Sequence, residues 1–332
     1  MALGIAGLNF GYAEQATPAV AELINWFWHF YENWIKFIFI VAGSILTLRL
    51  IKGSSKTILR KQNLAGFIAY ALLIHILGPL ALGNNELYLF SMPLPWNTTP
   101  LQLLDPGSSF FADRFPVLGV AGITASIVVY ASISFAVLAG TLLMGRRWQC
   151  STLCLFNGFA AEVFTPAFPL AGKKKPVRKS TLKVFSFLRW LFLSAALLFT
   201  TYWLLLLGGA IHGEGANLLS ELEIYKYLGG ELLPAMFMWV VFTGRGYCYY
   251  CPLGTVLAYL SKAAGQRIST TESECIECGK CNRACPLAID IKKEVQRKTP
   301  VTDLRCVGCG HCIDTCPTGT LRYATRFLNS WT

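Results

Sequence analysis

The apolar positions of this chain come in long blocks, separated by short polar stretches. Predominantly apolar blocks run from about Trp26 to Leu50, Leu64 to Leu82, Val117 to Met144, Val184 to Ile211 and Leu228 to Thr243. A helix needs roughly 20 such residues to cross a bilayer. The third block carries no charge; the fourth carries only Arg189, close enough to one end to snorkel to the interface. The fifth is shorter and holds Glu231 and Pro234. Trp26, Trp28 and Trp34 sit in the first block like an aromatic belt. This pattern predicts a mainly α membrane protein with about five transmembrane helices. Beyond residue 265 the blocks give way to a polar, cysteine-rich segment that predicts a small α+β domain.

The charges between the blocks predict an orientation. Arg49, Lys52, Lys56, Arg60 and Lys61 lie between the first two, and Arg146, Arg147, Lys173, Lys174, Lys175, Arg178, Lys179 and Lys183 between the third and fourth. The alternate loops lean acidic: 83–116 sets Arg114 against Glu86, Asp105 and Asp113, and 212–227 sets Lys226 against Glu214, Glu221 and Glu223. Positive charge stays inside, so the N-terminus is expected outside and everything after Arg245 in the cytoplasm. The predicted organisation is an outer segment 1–25, a transmembrane domain 26–265, a cytoplasmic domain 266–325 and a tail 326–332, in a multi-pass cytoplasmic (inner) membrane protein.

Composition agrees with a lipid environment. The chain is 54% hydrophobic and 14% charged, with mean hydropathy +0.48, whereas soluble domains are about 25% charged. The net charge of +11 would suit nucleic acid, but it is gathered in short loops. It therefore reads as a topology signal, with the run 173–179 contacting lipid, and nucleic acid is not an expected partner. Residues 1–13 lack the basic start and cleavage site of a signal peptide. The proline-rich loop 83–116 is long enough to predict a functional or partner-facing element.

All 12 cysteines fall into four tight groups, a distribution that suits metal sites better than a disulfide framework. Residues 275–286 read Cys-x2-Cys-x2-Cys-x3-Cys-Pro, and residues 306–317 repeat the spacing. In the two-cluster bacterial ferredoxin pattern the fourth cysteine of each run ligates the other cluster. The spacing thus predicts two 4Fe–4S clusters, one on Cys275, Cys278, Cys281 and Cys316, the other on Cys306, Cys309, Cys312 and Cys285. Three closely spaced thiolates wrap three corners of a cubane, and the fourth arrives from a distant segment. Gly279, Gly308 and Gly310 are expected to leave room for backbone to approach the sulfides. Zinc also takes Cys-x2-Cys pairs, but two full runs ending in Cys-Pro favour iron–sulfur. His311 reads as a spacer.

The third and fifth blocks end alike. One ending reads Gly145-Arg146-Arg147-Trp148-Gln149-Cys150-Ser151-Thr152-Leu153-Cys154, the other Gly244-Arg245-Gly246-Tyr247-Cys248-Tyr249-Tyr250-Cys251-Pro252. Each precedes an apolar stretch (159–164 and 255–264), which suggests an internal repeat with function at its shared interface. Cys150, Cys154, Cys248 and Cys251 could form a third metal or iron–sulfur site, act as redox dithiols, or pack as small apolar groups.

With these endings, several spans and a two-cluster tail, residues 64–325 resemble the membrane iron–sulfur proteins of the NapH/NosR type, which include quinol dehydrogenase membrane subunits. The family's paired motif is Cys-x3-Cys-Pro. Here Leu155 replaces the proline after Cys154, and the Cys248/Cys251 pair is one residue shorter. The resemblance implies electron exchange among the quinone pool, cytoplasmic clusters and a partner redox protein within a membrane complex. Among four histidines, His29, His75, His212 and His311, His75 lies inside a span and is the candidate for quinone or haem. A haem needs two facing ligands and is not the expected cofactor. Glu231 is either a proton-handling acid or an interfacial residue ahead of its helix. The expected function is a non-catalytic electron-transfer subunit. The rival is an assembly factor that supplies electrons or metal, such as copper, to a periplasmic metalloenzyme.

Overall fold

The computed structural model describes residues 8–9, 12, 15–53, 55–82, 87–154, 161–162, 179–211, 215–241, 243–271 and 274–331. Long helices dominate. The first, α1, covers residues 18–53 as Pro18–Phe30, a π-helical turn Tyr31–Ile35 and Lys36–Gly53. Residues 58–82 form α2, with its own π-helical turn at Leu73–Leu77. Then come α3 (Ser109–Met144), α4 (Lys179–Leu207) and α5, which spans 216–241 as Ala216–Tyr225, Lys226–Leu232 and Leu233–Val241. An amphipathic α6 (Pro252–Ala263) follows the second cysteine pair, its N-terminus capped by the Cys251 sulfur accepting from the Gly254 amide. Pro116 removes one helical hydrogen bond from α3, and three residues later Gly119 breaks the helical geometry, so the helix kinks.

By length and composition, three helices are able to cross a membrane among the described residues: Ile58–Ala81, Ser109–Met144 and Ser180–Leu207. Their outward faces carry large apolar side chains, among them Val117, Phe135, Leu80 and Leu198, all strongly exposed. Water would penalise such a surface by about 25 cal/mol per Å²; hydrocarbon does not. The chain is membrane-associated. Inside, the Ser44, Thr47 and Thr141 hydroxyls bond carbonyls of their own helices four residues back, which satisfies them where water is absent.

Within the loop 83–116, expected to be functional or partner-facing, Phe90, Met92, Trp96, Leu101 and Leu103 are buried. Its polar groups are met by the helices, with Tyr130 donating to the Asn97 carbonyl, Leu94 N donating to Ser134 and Tyr70 to the Ser91 carbonyl. The stretch 212–227 was expected to be loop, but the helix begins at Ala216. Of its acids Glu221 is exposed, while Glu223 is buried and accepts from both Thr98 N and Thr98 Oγ1 at 2.6 and 2.7 Å.

The cysteine-rich segment forms a three-stranded antiparallel sheet in the order β1 (Arg267–Thr270), β2 (Leu321–Ala324), β3 (Asn329–Trp331). Arg267 pairs with Ala324 and Thr270 with Leu321, so the sheet joins the two ends of the domain. Between β1 and β2 lie short helices Lys280–Ala284, Ile291–Gln296 and His311–Asp314. One continuous core runs from Leu59, Val137, Tyr247 and Leu253 of the membrane part to Ile268, Leu287, Val301 and Tyr323 of this domain. The Tyr323 and Thr325 hydroxyls donate to the carbonyls of Met144 and Leu143, which caps the C-terminal end of α3.

Candidate metal centre

Each cysteine run folds the same way locally. A left-handed glycine, Gly279 (φ 66°) or Gly310 (φ 81°), turns the chain into a short helix that carries the third cysteine. The turns gather the thiols into two cavities. Cys275, Cys278, Cys281 and Cys316 line one, together with Ile276, Lys292 and Leu321. Cys285, Cys306, Cys309 and Cys312 line the other, against Ile268, Leu287, Ile289 and Val301. In both, three thiols come from one run and the fourth from the other.

The cavities differ in environment. Cys275 and Cys278 are exposed, whereas Cys312 is buried. Burial pushes the Cys306 thiol up to about 12, against the opposing influence of the Gly308 amide, and the Cys312 thiol well above its ordinary range. Thiolates in such a place need positive charge beside them, which iron supplies. At Cys316 burial acts the same way but loses to hydrogen bonds from Thr318 and Thr320, so that thiol is shifted down. Among the described residues no three His, Cys, Asp or Glu side chains converge on a single ion. Four soft sulfur donors spread around a largely apolar cavity therefore fit a cluster better than zinc. Bound there, a 4Fe–4S cluster supplies one-electron exchange. The chain's part is to hold it with four thiolates and, in the inner cavity, to keep water away with Ile268, Leu287 and Val301.

The four membrane-edge cysteines join neither cavity. Three of them, Cys150, Cys248 and Cys251, gather instead around a buried guanidinium, with Cys154 near Cys251. Arg146 Nε donates to the Cys150 sulfur at 3.3 Å and lies in the field of Cys248 and Cys251, which outweighs the burial that would lower its pKa. Burial in turn raises the Cys248 and Cys251 thiols, with Cys150 adding to both. Cys150 sits on the π-helical turn Trp148–Leu153, with Cys154 at its C-cap, and Cys248 on the 3₁₀ turn Gly246–Tyr249, with Cys251 at the N-cap of α6. Leu155, the stretch 159–160 and 163–164, and the basic residues 173–178 lie outside the described residues, as does His212.

Several groups that the sequence reading missed surround these cysteines. Glu162 is buried and bonds Arg245 at 2.6 Å, Arg60 at 3.1 Å and His311 Nε2 at 2.9 Å. Burial alone would raise its pKa, but His311, Arg60 and Arg245 together hold it well below the usual carboxylate range. Asp314 accepts from the Lys56 and Thr57 amides at 2.8 and 2.7 Å. One signal pointed to Glu162: it is the sole acid between residues 155 and 178.

Other expected sites fall as follows. His75 sits half-buried in the π-helical turn of α2, within the field of Lys36, and lines neither cavity. Glu231 is buried rather than interfacial. It accepts from Trp96 Nε1 at 2.7 Å and lies 3.6 Å from Lys226. Arg189 Nε donates to the Tyr249 carbonyl at 3.1 Å. Gly308 and Gly310 line the inner cavity and also make room for the membrane part. A Cβ on Gly308 would sit 2.6 Å from Arg147 Cβ, and one on Gly310 3.2 Å from Leu59.

These features define an iron–sulfur protein, and residues 274–320 match the 4Fe-4S dicluster domain family. The chain is 28% identical over 82 residues to the protein named "Putative electron transport protein YccM" of Escherichia coli (strain K12), covering 24% of this chain and 23% of that one. It is 26% identical over 189 residues to "Uncharacterized protein MJ0749" of Methanocaldococcus jannaschii, covering 56% of this chain and 68% of that one. The first of these matches thus spans under a quarter of the relative's length. No solved structure matches the chain.

Proposed function

We propose that the chain is a membrane-bound electron-transfer subunit that shuttles electrons between the quinone pool and a partner oxidoreductase. Cys275, Cys278, Cys281 and Cys316 hold one 4Fe–4S cluster, and Cys306, Cys309, Cys312 and Cys285 the other. The observation that carries this reading is the unequal depth of the two four-thiol cavities. One opens to water beside Cys275, Cys278 and the exposed Ile276, and the other lies beneath the membrane domain. Such an arrangement suits a relay with one end at the membrane and the other at a soluble face. The printed name of YccM supports the same role.

In this reading α1 and α5 also cross the bilayer, giving five spans that contain a repeat ending at the two cysteine pairs. The N-terminus lies outside, and the ferredoxin domain lies in the cytoplasm beside the basic loops. His75, in a π-helical turn of the kind that often marks functional sites, is the candidate contact for quinone. The test is anaerobic purification of the full chain with its neighbours in detergent. About eight irons per chain and bleaching on adding quinol are expected. Folded material that is colourless and iron-free overturns the reading.

One observation favours a second reading, an assembly factor: Cys150, Cys154, Cys248 and Cys251 form a thiol group separate from the two cavities. Stoichiometric copper, lost on replacing Cys150 and Cys154, would select it.

A further inference from the structure

Five carbonyls of the segment around the inner cavity are caught by side chains of the membrane domain or of its junction with the cysteine-rich domain. The Leu304 carbonyl accepts from Arg146 Nη1 at 2.9 Å, Cys306 from Gln266 Nε2 at 2.9 Å and Val307 from Ser151 Oγ at 2.7 Å. Asn63 Nδ2 reaches both the Gly308 and Cys309 carbonyls, at 3.2 and 3.4 Å. The donors are themselves held. Asn63 Oδ1 accepts from Thr152, and Gln266 Oε1 accepts from the Arg146 amide and from Tyr323. At the outer cavity the Cys278 carbonyl accepts from Arg283, a neighbour within its own run and exposed to water.

The peptide group is planar and trans, so a carbonyl pinned in one direction turns the following N–H in the opposite one. Holding the carbonyls of residues 306–309 outward therefore turns the amides of residues 307–310 toward the cavity. Among the described residues none of these four amides donates to a loop or turn carbonyl, and the Gly308 amide lies close enough to the Cys306 sulfur to favour its thiolate form. Hydrogen bonds to sulfur are among the main determinants of an iron–sulfur potential. They stabilise the more negative, reduced state.

We infer that Asn63 and Ser151 of the membrane domain, with Gln266 at its junction with the cysteine-rich domain, are positioning residues that aim backbone amides at the inner cluster and hold its reduction potential above the value that cluster would have without them. The inference rests on the two-cluster reading above. It gives the membrane domain a role in tuning the relay beyond anchoring it: the two clusters, identical in ligand spacing, become separately adjustable.

The test is an EPR-monitored redox titration of the full chain in detergent, on wild type, Ser151→Ala, Asn63→Ala and Ser151→Thr. Ser151→Ala and Asn63→Ala should each lower one of two midpoint potentials and leave the other in place. Ser151→Thr, which keeps the hydroxyl, should restore the wild-type value. Iron content at the wild-type level shows that a variant has folded, and Ser151→Ala, the smaller change, decides the matter if Asn63→Ala does not fold. Potentials that stay put, move together or move upward overturn the inference. A wild-type chain without iron would instead overturn the function proposed above, so the two failures are distinguishable.

Discussion

The two cysteine cavities are built from the same spacing and placed in opposite surroundings. The outer one, with Cys275 and Cys278 exposed, borders an ion pair open to solvent, Lys292 to Glu277 at 3.4 Å. The inner one is roofed by α2, by the Arg146–Thr152 turn and by Glu162, whose partners Arg60 and Arg245 are almost wholly buried. A ligand motif therefore specifies how thiols gather, while the packing partner specifies whether water reaches them. An exposed site of this kind suits exchange with a soluble partner, and a covered one suits control by the domain that covers it.

The comparison breaks most visibly if a thiol is removed from each side. In Cys275→Ala, the outer cavity should lose its cluster, so that iron per chain falls by about half, while the fold and the inner site persist. In Cys312→Ala the loss of iron should be accompanied by loosening of the whole domain. That thiol is packed among Leu287, Val307 and Ile313 in the core shared with the membrane part. Iron analysis combined with limited proteolysis separates the outcomes. Equal protease resistance in the two variants would mean that the inner cavity is no more integral to the fold than the outer.

Next in size is the charge network. Glu162→Ala leaves Arg245 buried without its carboxylate and Arg60 with only Asp314, at 3.7 Å. Removing one partner of a buried pair costs about 3–5 kcal/mol, which thermal unfolding in detergent would register. The pH dependence has a definite sign. The folded-state pKa of Glu162 is depressed, so its stabilising contribution is complete above the unfolded value of about 4.3 and is lost as pH falls through the folded value. The stability difference between wild type and Glu162→Gln should therefore hold constant from neutral pH to about 4.3 and shrink below it.

What could be read in the sequence follows the range of the interaction involved. Cysteine spacing is a local property, and the grouping of thiols it predicts is the one that lines the two cavities. Apolar blocks long enough to span are also local, and three of those expected coincide with the helices able to cross. The docking of the two parts was not legible, because Asn63, Ser151, Glu162 and Asp314 are ordinary polar residues until the fold brings their distant partners to them. Gly308 shows the limit well. The sequence offers a glycine beside a cysteine, and only the packing reveals that the missing side chain makes room for Arg147. The loop 83–116 was half legible: Phe90, Met92, Trp96 and Leu103 are apolar enough to be buried, but the loop's length alone, on which the expectation rested, says nothing of where they pack.

The smallest effect sharpens the same contrast. Lys292 and Glu277 form an ion pair beside the outer cavity, as Arg245 and Glu162 do beside the inner one, but their side chains are 33% and 57% exposed rather than 0% and 6%. Water already solvates both charges, and holding two long side chains together costs entropy. The pair is further weakened because Glu277 Oε2 also accepts from Gln296 at 2.7 Å, which keeps a partner when lysine is lost. Lys292→Ala should thus change stability by no more than about 0.5 kcal/mol, with a salt dependence smaller still. Its other consequence is electrostatic: a positive charge leaves the rim of the outer cavity, so that cluster should become slightly harder to reduce while the inner one is unaffected. A stability loss comparable to that of Glu162→Ala, measured in the same thermal series, would mean that the outer face is covered in the native protein and that the two environments are not as different as their exposure implies.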